Sequence, residues 1–143
     1  MTIKYNNVFI EDAYTICGNY ENDGPLSKYF DKKYEKDLYF GEKSWEQAEV
    51  HLLKEANINI LKKNKLKEED IDLLISGDLQ NQIAASNYMA REFNIPFLGI
   101  FEACSTSGEG LAIGSTYIEG GFAKRILVST SSHNMAAEKQ FRN

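Results

Sequence analysis

The sequence predicts an α/β fold with a mostly parallel sheet and a buried central helix. Three observations lead there. Apolar runs of strand length alternate with helical patterns, IDLLISG is apolar almost throughout, and one helical segment is made largely of small residues. Alternation of this kind implies right-handed crossovers, with functional groups gathered at the carboxyl ends of the strands.

The first strand is expected at Val8–Ile16, VFIEDAYTI, where β-formers mix with polar residues and Gly18 follows. A long connector, NYENDGPLSKYFDKKYEKDLYFGEK, comes next. Asn22-Asp23-Gly24-Pro25 marks a turn in it, and Tyr29, Phe30, Tyr34, Tyr39 and Phe40 favour packing over disorder. Ser44, with Gln47 three residues on, forms a capping-box pattern that opens a helix, and Ala48, Leu52, Ala56 and Ile60 give it an apolar stripe. Ile71–Gly77 reads as a buried strand, followed by Asp78. A second helix is expected over Asn81–Phe93, then a strand over Phe97–Phe101 after Pro96.

The third helix follows Cys104 and ends at Gly120-Gly121, and Arg125–Ser131 supplies another strand. Gly108, Gly110, Ala112, Gly114 and Ser115 leave this helix little bulk, at about 1 kcal/mol for each interior glycine. Close approach of other backbones on several sides would offset that cost, which predicts a helix squeezed between layers. A final helix through AAEKQF would be capped by Ser132 or Asn134.

With 143 residues and 43% hydrophobic content, the chain suffices for one ordinary domain. A net charge of −5 argues against nucleic acid as a partner, and the lysine cluster LKKNKLKEED is answered at once by acidic residues, as in a solvated connector. No apolar run is long enough for a transmembrane helix, and MTIKYNNVFIED has no signal-peptide core. Cys17 and Cys104 fit neither a disulfide framework nor a zinc site, so a reducing, intracellular compartment is expected. No metal motif and no nucleotide-binding glycine pattern is present.

FEACSTSGEG places Cys104 where a strand hands over to a helix, so helix-terminal amides could lower its thiol pKa or hold an anion. Cys104 is then a nucleophile, part of a ligand pocket, or a buried small side chain. Thr106 and Glu109 match a capping box of their own. His51 lies off its helix's apolar stripe and reads as solvated. His133 and Ser132, in STSSHN, follow the Arg125–Ser131 strand and so share a rim with Cys104 and Asp78. The pocket reading is preferred for His133 and Ser132 over an exposed turn at His133, whereas Asp78 is equally readable as the start of a turn or a helix cap.

DGPLSKYFDKKYEKD, SWEQAE, LKEEDIDLLISGDLQNQ, ASNYMAREFNIPFL, EACSTSGEGLAIGSTYIEGGFAKR and TSSHNMAAEKQFR together resemble the stage V sporulation protein AD family, and more broadly the amino-terminal half of thiolase-like condensing enzymes. The resemblance covers nearly all of the chain after Gly18. It implies a five-layered αβαβα fold of two similar halves, usually dimeric, of which residues 1–143 form an incomplete amino-terminal domain. It also implies a non-catalytic protein that binds dipicolinic acid during uptake into the developing spore. Its site would be Cys104, Ser132, His133 and Asp78, and its partners the other stage V sporulation A-operon proteins at the spore inner membrane, with a link to germination. Cys104 matches the thiolase nucleophile position, so the alternative is an acyltransferase with coenzyme A thioester as cosubstrate; otherwise no cofactor is expected. Glu102 departs from the small residue, usually glycine, expected at its place.

Overall fold

The computed structural model describes residues 2–142. Its sheet holds three parallel strands in the order β4–β3–β5: β3 (Leu73–Gly77) in the middle, β4 (Phe97–Gly99) and β5 (Ile126–Thr130) on its flanks. Side chains alternate across it. Leu74 and Leu127 are register partners and face the long helix α2 (Trp45–Lys63) and the short α3 (Ala84–Ala90), forming the core with Leu53, Leu61, Ile71, Met89 and Ile95. Ile75 and Val128, the next pair, face α4 (Thr106–Glu119) on the other side. The chain steps from β3 to β4 through α3, then back across β3 to β5 through α4. A constant crossover hand puts those two helices on opposite faces, as found. The α/β class and parallel sheet are thus as the sequence predicts.

Helix α4 lies close to the sheet because it has glycine where it touches. A Cβ on Gly110 would stand 2.6 Å from Cγ1 of Val128, and one on Gly114 would stand 3.4 Å from its Cγ2. Gly108, on the outer side, has open space around it. Within this chain the small-residue helix is therefore approached closely by the sheet on one side, and Leu111 and Tyr117 point outward exposed. The amino-terminal segment crosses α4: the Tyr5 hydroxyl bonds Ala112 O and Thr116 Oγ1, and the Glu119 carboxylate accepts from the amides of Asn6 and Asn7.

Several elements differ from expectation. Of the expected first strand only Ile16 joins a ladder, in β1 (Ile16–Cys17), which pairs with Lys32–Lys33 (β2); residues 8–14 have no ladder partner. The connector also holds two short helical turns, α1 (Asn19–Asn22) and a 3-10 turn (Ser27–Tyr29). Its aromatics divide: Phe40 is buried and packs at 4.7 Å from the Tyr34 ring, whereas Tyr29 lies exposed. The second helix opens later than Asn81 because Gln82 and Ile83 are left-handed, which places a 3-10 turn (Asn81–Ile83) before α3. Its expected end at Phe93 frays into tight turns after Ala90. On α2 the Ser44 cap forms, with Oγ accepting from Gln47 N, but the most buried residues are Ala48, Glu49, Leu53, Asn57 and Leu61. That line runs one residue past the predicted stripe because Glu49 and Asn57 find polar partners inside.

The Gly110 contact gives a paired test. Gly110→Ala is expected to destabilise the chain by about 1–3 kcal/mol through overpacking against Val128. Gly108→Ala, facing open space in the same helix, is expected to stabilise it by roughly 0.5–1 kcal/mol. Urea unfolding of the two variants beside the parent chain measures both.

Candidate functional site

The carboxyl ends of the three strands form one rim. Gly77 closes β3 against the next two segments: a Cβ there would run into the Ile100 carbonyl oxygen and come within 2.6 Å of Thr106 Cγ2. Glycine at this point lets the turn before α4 sit directly beside β3. Two backbone turns at the rim are left-handed without glycine, Gln82-Ile83 after β3 and Ala103 after β4. Each costs of order 1–3 kcal/mol, a kind of strain that clusters at functional sites. Gly99 leaves room for the Ile83 side chain, whose Cδ1 lies where a Cβ would be.

Beneath the rim is a layer of buried polar side chains. Glu49, only 1% exposed, accepts from Gln80 Nε2 at 2.8 Å and from Ser131 Oγ at 2.9 Å. It thereby joins α2 to the loops that leave β3 and β5. Burial pushes its carboxyl pKa up, the neighbouring Asp78 charge adds to the rise, and the two hydrogen bonds oppose it. Asp78 is itself buried and spends both oxygens on backbone amides, Gln80 N at 2.9 Å and Ser86 N at 2.7 Å. It therefore caps the chain's entry into α3. Ser76 Oγ bonds Ser86 Oγ and accepts from Ser129 Oγ, a further polar link across the sheet.

His133 is buried, contrary to an exposed turn. Its Nε2 bonds Leu38 O at 2.7 Å, which makes that nitrogen the donor, and Nδ1 accepts from Ala136 N at 3.4 Å. The imidazole is thus the N-cap of α5 (Asn134–Phe141), in place of Ser132 or Asn134, and the Phe40 ring packs edge-on against it. The ring also locks residues 38–40 of the connector over the rim.

Cys104 is exposed in a 3-10 turn (Ala103–Ser105) and makes no side-chain hydrogen bond among the described residues. The buried reading of this cysteine does not hold. Ser132 is also exposed. Thr106 does not form the expected capping box with Glu109; its hydroxyl accepts from Glu102 N and donates to Ala103 O, fixing the turn that carries Cys104. Glu102 is exposed, and its backbone carbonyl accepts from Ser105 N and Oγ.

Of the four predicted residues, Asp78 and His133 belong to one buried layer around Glu49, while Cys104 and Ser132 are turned to solvent. His51 is not simply solvated: Nδ1 pairs with Glu42 and Nε2 with the Tyr34 hydroxyl, on a groove of about 890 Å³ between α2 and α3. Tyr34 also bonds Glu55, whose partner is Lys32. No group of three or more His, Cys, Asp or Glu is placed to hold a metal among the described residues. The sequence reading missed Glu49. Its signal was available, since Glu49 and Asn57 alternate with Leu53 and Leu61 at fourfold spacing.

A family model described as stage V sporulation protein AD matches residues 1–143. The chain belongs to the stage V sporulation protein AD family. Stage V sporulation protein AD of Bacillus subtilis is 51% identical over 135 residues, an alignment covering 94% of this chain. The chain spans 40% of that relative's length. Among solved structures, 3-oxoacyl-[acyl-carrier-protein] synthase III of Aquifex aeolicus matches with a TM-score of 0.54 at 23% identity, over 60% of this chain and 30% of the synthase. That likeness shows a thiolase-like fold. The chain is therefore a sporulation-family protein on a thiolase-like scaffold, and no helix among its described residues is long and apolar enough to cross a membrane.

Glu49 sets a pH dependence within this family member. Its folded pKa is raised, so its contribution to stability is complete below the ordinary glutamate value and is lost as pH rises through the folded one. Glu49→Gln keeps an acceptor for Ser131, and Gln80 can turn its amide to meet the new one. The variant is expected to lose stability less steeply than the parent between weakly acidic and weakly alkaline pH, with a Tm higher by roughly 2–4 °C at the alkaline end. Thermal melts of both proteins across that range measure it; parallel curves would contradict an ionising Glu49.

Proposed function

We propose that this chain forms part of a non-catalytic binder of dipicolinic acid, acting in the acid's uptake into the developing spore. Membership of the sporulation family supports the setting. The observation that carries the choice of binder over enzyme is the engagement of both histidines. A cysteine nucleophile needs a base, yet His133 has both ring nitrogens committed to Leu38 and Ala136, and His51 is held by Glu42 and Tyr34. Cys104 remains as an exposed thiol at the foot of α4, near the amides where an anion is favoured.

In this reading Cys104 and Ser132 contact the ligand carboxylates, and Asp78 and His133 hold the loops that carry them. Homodimerisation, the other stage V sporulation A-operon proteins as partners, a place at the spore inner membrane and a role in germination complete the proposal. The negative charge of Glu102 lies two residues from Cys104 and opposes a dianionic ligand, which predicts tighter binding in Glu102→Gly.

Calorimetric titration of dipicolinate into the chain tests this reading. Saturable binding is expected, weakened about tenfold or more by Cys104→Ala with Ser132→Ala and strengthened by Glu102→Gly. Unchanged affinity in the double variant would remove both residues from the site, and absence of any binding would end the proposal for this chain. The rival acyltransferase reading rests on the position of Cys104 and predicts a covalent adduct. Intact mass after incubation with an acyl-coenzyme A thioester would show an acyl group on Cys104 if that reading holds, and no mass change if the binder reading does.

A further inference from the structure

The stretch between β2 and α2 is fastened to the rest of the chain by side chains alone. Tyr34 N still bonds Cys17 O, but among the described residues 35–43 make no backbone–backbone hydrogen bond to any other segment. Four contacts hold the stretch instead. His133 Nε2 donates to Leu38 O at 2.7 Å, and His51 Nδ1 lies 3.0 Å from Glu42 Oε1. The buried Phe40 ring packs edge-on against His133, and the Tyr39 ring stacks on Trp45 with centroids 5.9 Å apart. Both histidines of the chain are thus spent on this one segment.

The segment also has a shape of its own. Asp37 accepts from Tyr39 N at 2.8 Å and from Gly41 N at 2.7 Å, and Glu42 N bonds back to Tyr39 O. Phe40 and Gly41 inside this turn both have positive φ, 51° and 82°. Glycine takes that conformation freely, whereas phenylalanine is strained in it. A loop bonded within itself, strained at its buried anchor and tied to its surroundings by few contacts can open locally while the sheet and helices stay folded. The residues on either side of it, 35–36 and 43, are exposed and free to swing.

We propose that residues 37–42 are a lid on the rim, latched by His133 and His51, which opens as one body. His133 directly follows Ser132, so the closed lid stands beside a proposed ligand contact and its opening clears the way to it. The motion is independent of what binds at the rim. Gating of a ligand by that motion rests on the dipicolinate reading.

The test begins with NMR relaxation dispersion on the 143-residue chain. Exchange is expected at the amides of Leu38–Gly41 and at the indole of Trp45, the single tryptophan, with one shared rate in the microsecond-to-millisecond range and none along α4. Asp37→Ala and Phe40→Ala should each raise the open fraction about tenfold or more. Asp37 is exposed, so its variant decides the matter should Phe40→Ala fail to fold. Absence of exchange in the parent and the Asp37 variant would overturn the lid, as would exchange spread through α4, the mark of global opening. Gating is read by stopped-flow mixing with dipicolinate: association and dissociation should both quicken about tenfold in Asp37→Ala, with a much smaller change in Kd. Unchanged rates beside a larger open fraction would overturn gating. No dipicolinate binding, with lid exchange present, would end the ligand reading and the gating together while supporting the motion.

Discussion

The close approach of α4 to the sheet is the constraint on which the rest of this structure depends. Helix backbone can come that near only because Gly110 and Gly114 carry nothing on the side facing Val128 and Ile75. With the helix so placed, β3 and β5 are covered on that face, Thr106 meets Gly77, and the turn bearing Cys104 stands at the strands' carboxyl ends. On the opposite face, α2 and α3 close an ordinary aliphatic core around Leu53, Leu74 and Met89. A parallel sheet needs both covers, since its strands are apolar on both sides.

The rim itself is held by polar bonds more than by hydrocarbon. Glu49 connects a helix to two loops, Asp78 fixes the start of α3, and His133 fixes the start of α5 while holding the connector at Leu38. Burying such groups is costly unless each finds its partners, and here the oxygens of Glu49 and Asp78 and the nitrogens of His133 all do. A polar cluster at strand ends can thus be support for a site without being its contact surface. Cys104 and Ser132, by contrast, are exposed.

The family and the scaffold carry different weight. The sporulation family is fixed by a match along the full chain and by a relative at 51% identity. The condensing-enzyme likeness, at 23% identity, describes only the path of the backbone. On that path the cysteine occupies the start of a small-residue helix, and a shared scaffold does not by itself carry a shared chemistry.

Sequence by itself determined the α/β class, the strand IDLLISG, the Ser44 cap and the special character of the glycine-rich helix, because these depend on neighbours within a few residues or on strong local preference. Tertiary structure alone decided which of its polar residues are buried. Glu49 and Asn57 sit inside α2's covered face because Gln80, Ser131 and Met89 arrive there from distant segments. His133 becomes a cap because Leu38, far away in sequence, supplies its second bond. Val8–Ile16 mixes strand-forming with polar residues, yet only Ile16 of it belongs to a ladder, since a strand is completed by a partner that its own sequence does not specify.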